Sequence, residues 1–168
     1  MEIRFVDEKN NMLYFLASPT NATQKYLYKI KLDGKGKAIL ASPPSQEGTH
    51  DYSISPNGLF AFHSFTNHYT KPVIEYISLL QHKALVETES IQSKLALSQT
   101  EKTVEFFKVK IEEGVELDGW MVKPVDFDPA KKYPVLFFVY TEPAGAEVRD
   151  TYQVANNKLF AGDMAREG

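Results

Sequence analysis

Four histidines, His50, His63, His68 and His82, are the chain's only imidazoles, the side chains best suited to general-base or metal-ligand work near neutral pH. They are dispersed, and none has the i, i+4 partner that would set two imidazoles on one helix face around a metal. By spacing alone no metal or catalytic role is expected for any of them. Cysteine is absent, which removes disulfides, thiolate nucleophiles and cysteine metal sites together. No Gly-x-Ser-x-Gly occurs, so no serine is presented on a nucleophile elbow. Tyr140 closes an apolar run, and spacing alone makes it a strand cap with a buried ring and a wet hydroxyl. Glu142 reads as a solvated loop carboxylate. Trp120, on a strand face with Asp118, reads as packing.

Composition narrows the class. The chain is 43% hydrophobic and 24% charged, which fits a globular chain rather than a disordered one. Its formal net charge of -3 offers no electrostatic footprint for nucleic acid or an anionic membrane surface. The longest apolar run, residues 135–140, is far short of the roughly 20 residues that span a bilayer. The first residues, Met1-Glu2-Ile3-Arg4-Phe5, lack the apolar core of an export signal.

The elements that must position these residues are mostly strands. Short strands are predicted over 3–6, 12–17, 25–32 and 38–41. In 25–32, Tyr26, Tyr28, Ile30 and Leu32 alternate with lysines, and Asp33-Gly34 follows as a hairpin signal. The pattern recurs as strands over 51–55, 59–65, 73–80 and 83–87, with Pro56-Asn57-Gly58 as a tight turn. Two groups of four strands, starting about 47–49 residues apart, have the strand count and period of β-propeller blades. Residues 91–103 read as a linker. A hairpin is predicted from 104–111 and 115–122. Residues 135–140, apolar at almost every position, predict a strand buried on both faces of a helix-covered sheet, and residues 149–166 are compatible with a helix.

The residues also resemble a known family. Phe106-Phe107-Lys108-Val109, the run Gly114-Val115-Glu116-Leu117-Asp118-Gly119-Trp120, and Lys132-Tyr133-Pro134-Val135-Leu136-Phe137-Phe138-Val139-Tyr140 resemble the propeller-to-hydrolase junction of the prolyl oligopeptidase family, in its dipeptidyl peptidase IV branch. Gly48-Thr49-His50, Ser53-Ile54-Ser55-Pro56-Asn57-Gly58 and Ala61-Phe62-His63-Ser64 resemble the last propeller blades of bacterial members. Pro143-Ala144-Gly145 is similar to a segment that follows the buried strand there.

This resemblance implies a mostly β fold, with antiparallel propeller blades over 1–90, a linker over 91–103 and the first strands and a helix of an α/β-hydrolase domain over 104–168. It implies a serine exopeptidase that releases N-terminal dipeptides with Pro or Ala at the second position, without a cofactor. The partners implied are peptide substrates, with no nucleic acid, no membrane segment in this chain and room for a homodimeric parent in the bacterial periplasm or outside the cell. The Ser-His-Asp triad and the glutamates that hold the substrate amine fall outside this chain, so the chain alone is expected to be inactive. One role carries over: Tyr140 matches the tyrosine whose hydroxyl donates to the oxyanion. Thr141 departs from the glycine often found next, which puts the local loop geometry in doubt. The alternative reading is a non-catalytic β-rich module that binds protein or carbohydrate through exposed tyrosines and phenylalanines.

Overall fold

A computed structural model describes residues 1–87, 90–91, 104–124, 126–139 and 146–152. Tyr140, Thr141, Glu142, most of the expected linker and most of the expected C-terminal helix lie outside these residues.

Two four-stranded antiparallel meanders make up the first part. β1 (Glu2–Asp7), β2 (Met12–Ala17), β3 (Tyr26–Lys31) and β4 (Ile39–Leu40) pair in sequence order. β5 (Thr49–Ile54), β6 (Phe60–Asn67), β7 (Thr70–Ser78) and β8 (Lys83–Ala84) repeat the arrangement. The turns fall where local chemistry allows them. Gly34 and Gly58 take positive φ (68° and 67°), and the amide of Gly34 closes the turn on the Lys31 carbonyl at 3.0 Å.

The sheets are fastened to each other. Lys25 forms a parallel bridge with Thr49, the His50 amide donates to the Lys25 carbonyl at 2.9 Å, and Arg4 on β1 pairs with Asp51 on β5. Tyr14, Leu16 and Leu27 of the first sheet share one buried cluster with Tyr52, Ala61, Ile77 and Leu79 of the second. Burying a Leu or Ile of this cluster contributes about 1.5–3 kcal/mol. The opposite face of the second sheet leaves Phe60, Phe62, Ile74 and Tyr76 exposed, with the Phe62 and Tyr76 rings paired at 4.4 Å.

β9 (Val104–Lys110) and β10 (Glu116–Val122) form a separate hairpin around a short 3-10 turn at Glu112–Gly114. The sequence expectation fails downstream. Residues 135–139 carry no strand, and Phe137 and Val139 are 84% and 76% exposed. A strand apolar on both faces needs flanking strands and covering helices, and no strand pairs with this run among the described residues. Residues 149–152, where the helix was expected to begin, are not helical. Among the described residues no helix is long and apolar enough to cross a membrane.

Candidate functional site

Strand parity builds a buried polar row across the second sheet. His50 and Tyr52 share the inward side of β5, His63 takes the same side of β6 between Ala61 and Phe65, and Glu75 does so on β7 beside Ile77. The register sets Tyr52 opposite His63 and His63 opposite Glu75. His82 reaches the row from the β7–β8 turn in a left-handed conformation, φ 49°. That conformation is uncommon for any residue but glycine and persists where its surroundings hold it.

The polar atoms form a chain. His50 Nε2 lies 2.8 Å from the Gln46 carbonyl oxygen, and His50 Nδ1 lies 2.8 Å from His63 Nε2. His63 Nδ1 lies 2.8 Å from Glu75 Oε1, while Glu75 Oε2 accepts from the Ile91 amide at 2.7 Å. Tyr52 links the other side: its hydroxyl lies 2.8 Å from His82 Nε2 and donates to Ser42 Oγ at 3.1 Å. Burial disfavours the charged imidazoles. Desolvation first, then the neighbouring His63, pushes His50 down to about 3. Desolvation and then His82 push His63 down to about 2. His82 is lowered by burial, and the Tyr52 phenol is raised by burial. Imidazoles held neutral this way have lone pairs to offer, and they do not act as general bases for a solvent-borne substrate.

A second polar centre ties the segment after Tyr140 to both sheets. The Asp150 carboxylate accepts from the His68 amide and lies 2.8 Å from His68 Nδ1 through Oδ1, and accepts from Gln24 Nε2 at 2.8 Å through Oδ2. Its amide donates to the Thr23 carbonyl at 2.7 Å, and its own carbonyl accepts from Thr49 Oγ1 at 2.9 Å. The Tyr152 amide then donates to Thr66 Oγ1 at 3.0 Å. Asp150 is 3% exposed, so these bonds replace its hydration. His68 also meets Phe106 edge to face at 5.4 Å, which joins β9 to the same seam.

The structure thus separates the histidines that spacing left dispersed: His50, His63 and His82 converge, whereas His68 serves Asp150. Asp118 pairs with Lys108 at 3.3 Å, and Trp120 lies opposite Phe106 on the hairpin, both as packing and surface pairing. Glu75, Gln46 and Asp150 were not singled out by sequence reasoning. Glu75 did carry a signal, as a carboxylate on the parity that buries Ile77.

Known proteins resemble this chain in sequence and in fold. Residues 1–72 match the family model described as the dipeptidyl peptidase IV (DPP IV) N-terminal region. A probable dipeptidyl-aminopeptidase B from Fusarium vanettenii is 28% identical over 89% of this chain and 17% of its own length. Another from Aspergillus terreus is 29% identical over 95% of this chain and 18% of its own length. The crystal structure of Porphyromonas gingivalis dipeptidyl peptidase 4 superposes with a TM-score of 0.70 at 24% identity, over 90% of this chain and 21% of that one, a likeness of fold. The chain therefore spans less than a fifth of the curated relatives it matches. By these matches the chain is similar to dipeptidyl peptidase IV family sequence, and its residues 1–72 match the part that the family description calls N-terminal.

Proposed function

We propose that this chain is the inter-domain part of a serine dipeptidyl peptidase, which releases dipeptides from peptide N-termini through an acyl-enzyme. The two sheets act as neighbouring propeller blades, and the residues from β9 onward open the catalytic domain. In this reading Tyr140 donates its hydroxyl to the oxyanion of the tetrahedral intermediate. One such preorganised donor lowers the barrier by ~2.7–4 kcal/mol. The triad lies in sequence outside this chain, so the 168 residues alone lack hydrolytic activity.

The observation that carries the reading is the anchoring of Asp150. Ten residues beyond Tyr140, its buried carboxylate and backbone take bonds from both sheets, through Gln24 and Thr23 on one side and His68 and Thr49 on the other. An oxyanion donor has to be fixed against the blades that shield the substrate, because a displacement of about 1 Å costs on the order of 100-fold in rate. The exposed Phe60, Phe62, Ile74 and Tyr76 face fits a surface covered by a further blade. The test is hydrolysis of a Gly-Pro anilide by the whole protein, with loss of activity after treatment with a serine-directed phosphonate. A whole protein that is inactive on such substrates, or indifferent to the phosphonate, would overturn the reading.

A further inference from the structure

We propose that His63, His82 and Glu75 form a binding site for a divalent transition metal of the zinc class, beside a cavity lined by His82, Glu75 and Gln46. One ring nitrogen from each histidine and a carboxylate oxygen of Glu75 lie within 4.8 Å of one another. Zinc bonds of about 2.0–2.1 Å to nitrogen and oxygen put tetrahedral ligand atoms roughly 3.3 Å apart. The 2.8 Å contact between His63 and Glu75 lies below that value and the 4.8 Å limit of the set lies above it, so a bound metal draws the widest pair together. Two imidazoles and a carboxylate are a common zinc donor set, with one position left for water.

The hydrogen-bond chain gives an independent reason for a cation. The Gln46 carbonyl only accepts, so His50 must place its proton on Nε2. With one proton on each ring, His50 then accepts at Nδ1, which places the His63 proton on Nε2. His63 Nδ1 is left as a bare lone pair, 2.8 Å from a Glu75 oxygen. Two acceptors at that distance need a positive species between them, either a proton or a metal. The same chain supplies what ligating histidines have elsewhere, an outer partner on the second ring nitrogen: His50 behind His63, and Tyr52 against His82.

Gln46 supplies the second observation. It is 5% exposed, and its Oε1 has no hydrogen-bond partner among the described residues. An orphaned buried acceptor costs about 1–3 kcal/mol. Gln46, Glu75 and His82 line one cavity of about 430 Å³, so a metal-bound water there has an acceptor waiting. The site would fasten β6 and β7 to the β7–β8 turn. It is independent of the peptidase reading, and either can fail alone.

The experiment uses the whole protein, stripped with EDTA and titrated with Zn2+ by calorimetry, and with Co2+ followed by its visible d–d absorption. One equivalent should bind, with tetrahedral cobalt absorption and a raised thermal midpoint. His82→Asn should weaken binding at least about 100-fold. His82 sits in a turn with a left-handed backbone that Asn tolerates, so this variant keeps His50, His63 and Glu75 in place, and Glu75→Gln is the second variant where it folds. No saturable binding to the wild type, or equal binding by His82→Asn, would overturn the proposal and leave a proton in the His63–Glu75 contact.

Discussion

His63 Nδ1 and Glu75 Oε1 lie 2.8 Å apart at the centre of the second sheet, on directly paired residues of β6 and β7 that are 0% and 3% exposed. Removing one partner strands the other. His63→Leu should lower the unfolding free energy by about 3–5 kcal/mol, because it leaves the Glu75 carboxylate buried without its partner. The double variant His63→Leu/Glu75→Leu should cost less than the two single changes added together. Urea denaturation of the four proteins, read as a double-mutant cycle, checks this. Additive losses would mean that the pair is not coupled.

Acid should weaken the fold through His50. Its imidazole titrates near 6.5 when unfolded and near 3 when folded, so the unfolded state binds the extra proton between those values. The stability it supports is fully present above about 6.5 and is lost as pH falls toward 3, by up to about 1.4 kcal/mol per pH unit. Thermal midpoints between pH 7 and 4 should fall more steeply for the wild type than for His50→Gln. Parallel curves would contradict the assignment.

Asp150→Ala should loosen the seam while the sheets stay folded. The change leaves the His68 amide and Gln24 without their acceptor. Hydrogen exchange at residues 146–152 should accelerate by about 10- to 100-fold, corresponding to roughly 1–3 kcal/mol. Unchanged exchange would show that the carboxylate does not hold this segment.

Gly48 and Gly34 should respond differently to alanine. Gly48 has φ +154°, and an added Cβ would meet the Thr66 carbonyl oxygen at 2.5 Å and the Phe65 ring at 2.9 Å. Gly34, at φ +68°, has nothing within 4 Å. Gly48→Ala should cost several kcal/mol through a backbone clash at the sheet-to-sheet junction, and Gly34→Ala about 1 kcal/mol of strain. Denaturation midpoints rank them, and equal losses would contradict the close approach.

Much of the β architecture was legible in the sequence, because alternation and turn residues are local signals. Tyr26 to Leu32 alternates, and Asp33-Gly34 and Pro56-Asn57-Gly58 mark turns close to the observed strand ends. The histidine cluster was not legible from spacing, because His50, His63 and His82 meet through register rather than along one element. Pairing the strands on paper would have set Tyr52, His63 and Glu75 in line. Asp150 gave no local sign, since its partners are 82 and 126 residues away. The apolar run at 135–139 misled because its composition reports a need for burial and not the presence of the strands that satisfy it.

The most direct test of the account is Tyr140→Phe in the whole protein. The substitution removes one hydroxyl and keeps the ring, so folding and substrate binding should hold while kcat on a Gly-Pro anilide falls by about 100- to 1,000-fold. A folded Tyr140→Phe enzyme with wild-type kcat would contradict the oxyanion role, and with it the reading of this chain as the seam of a dipeptidyl peptidase active site.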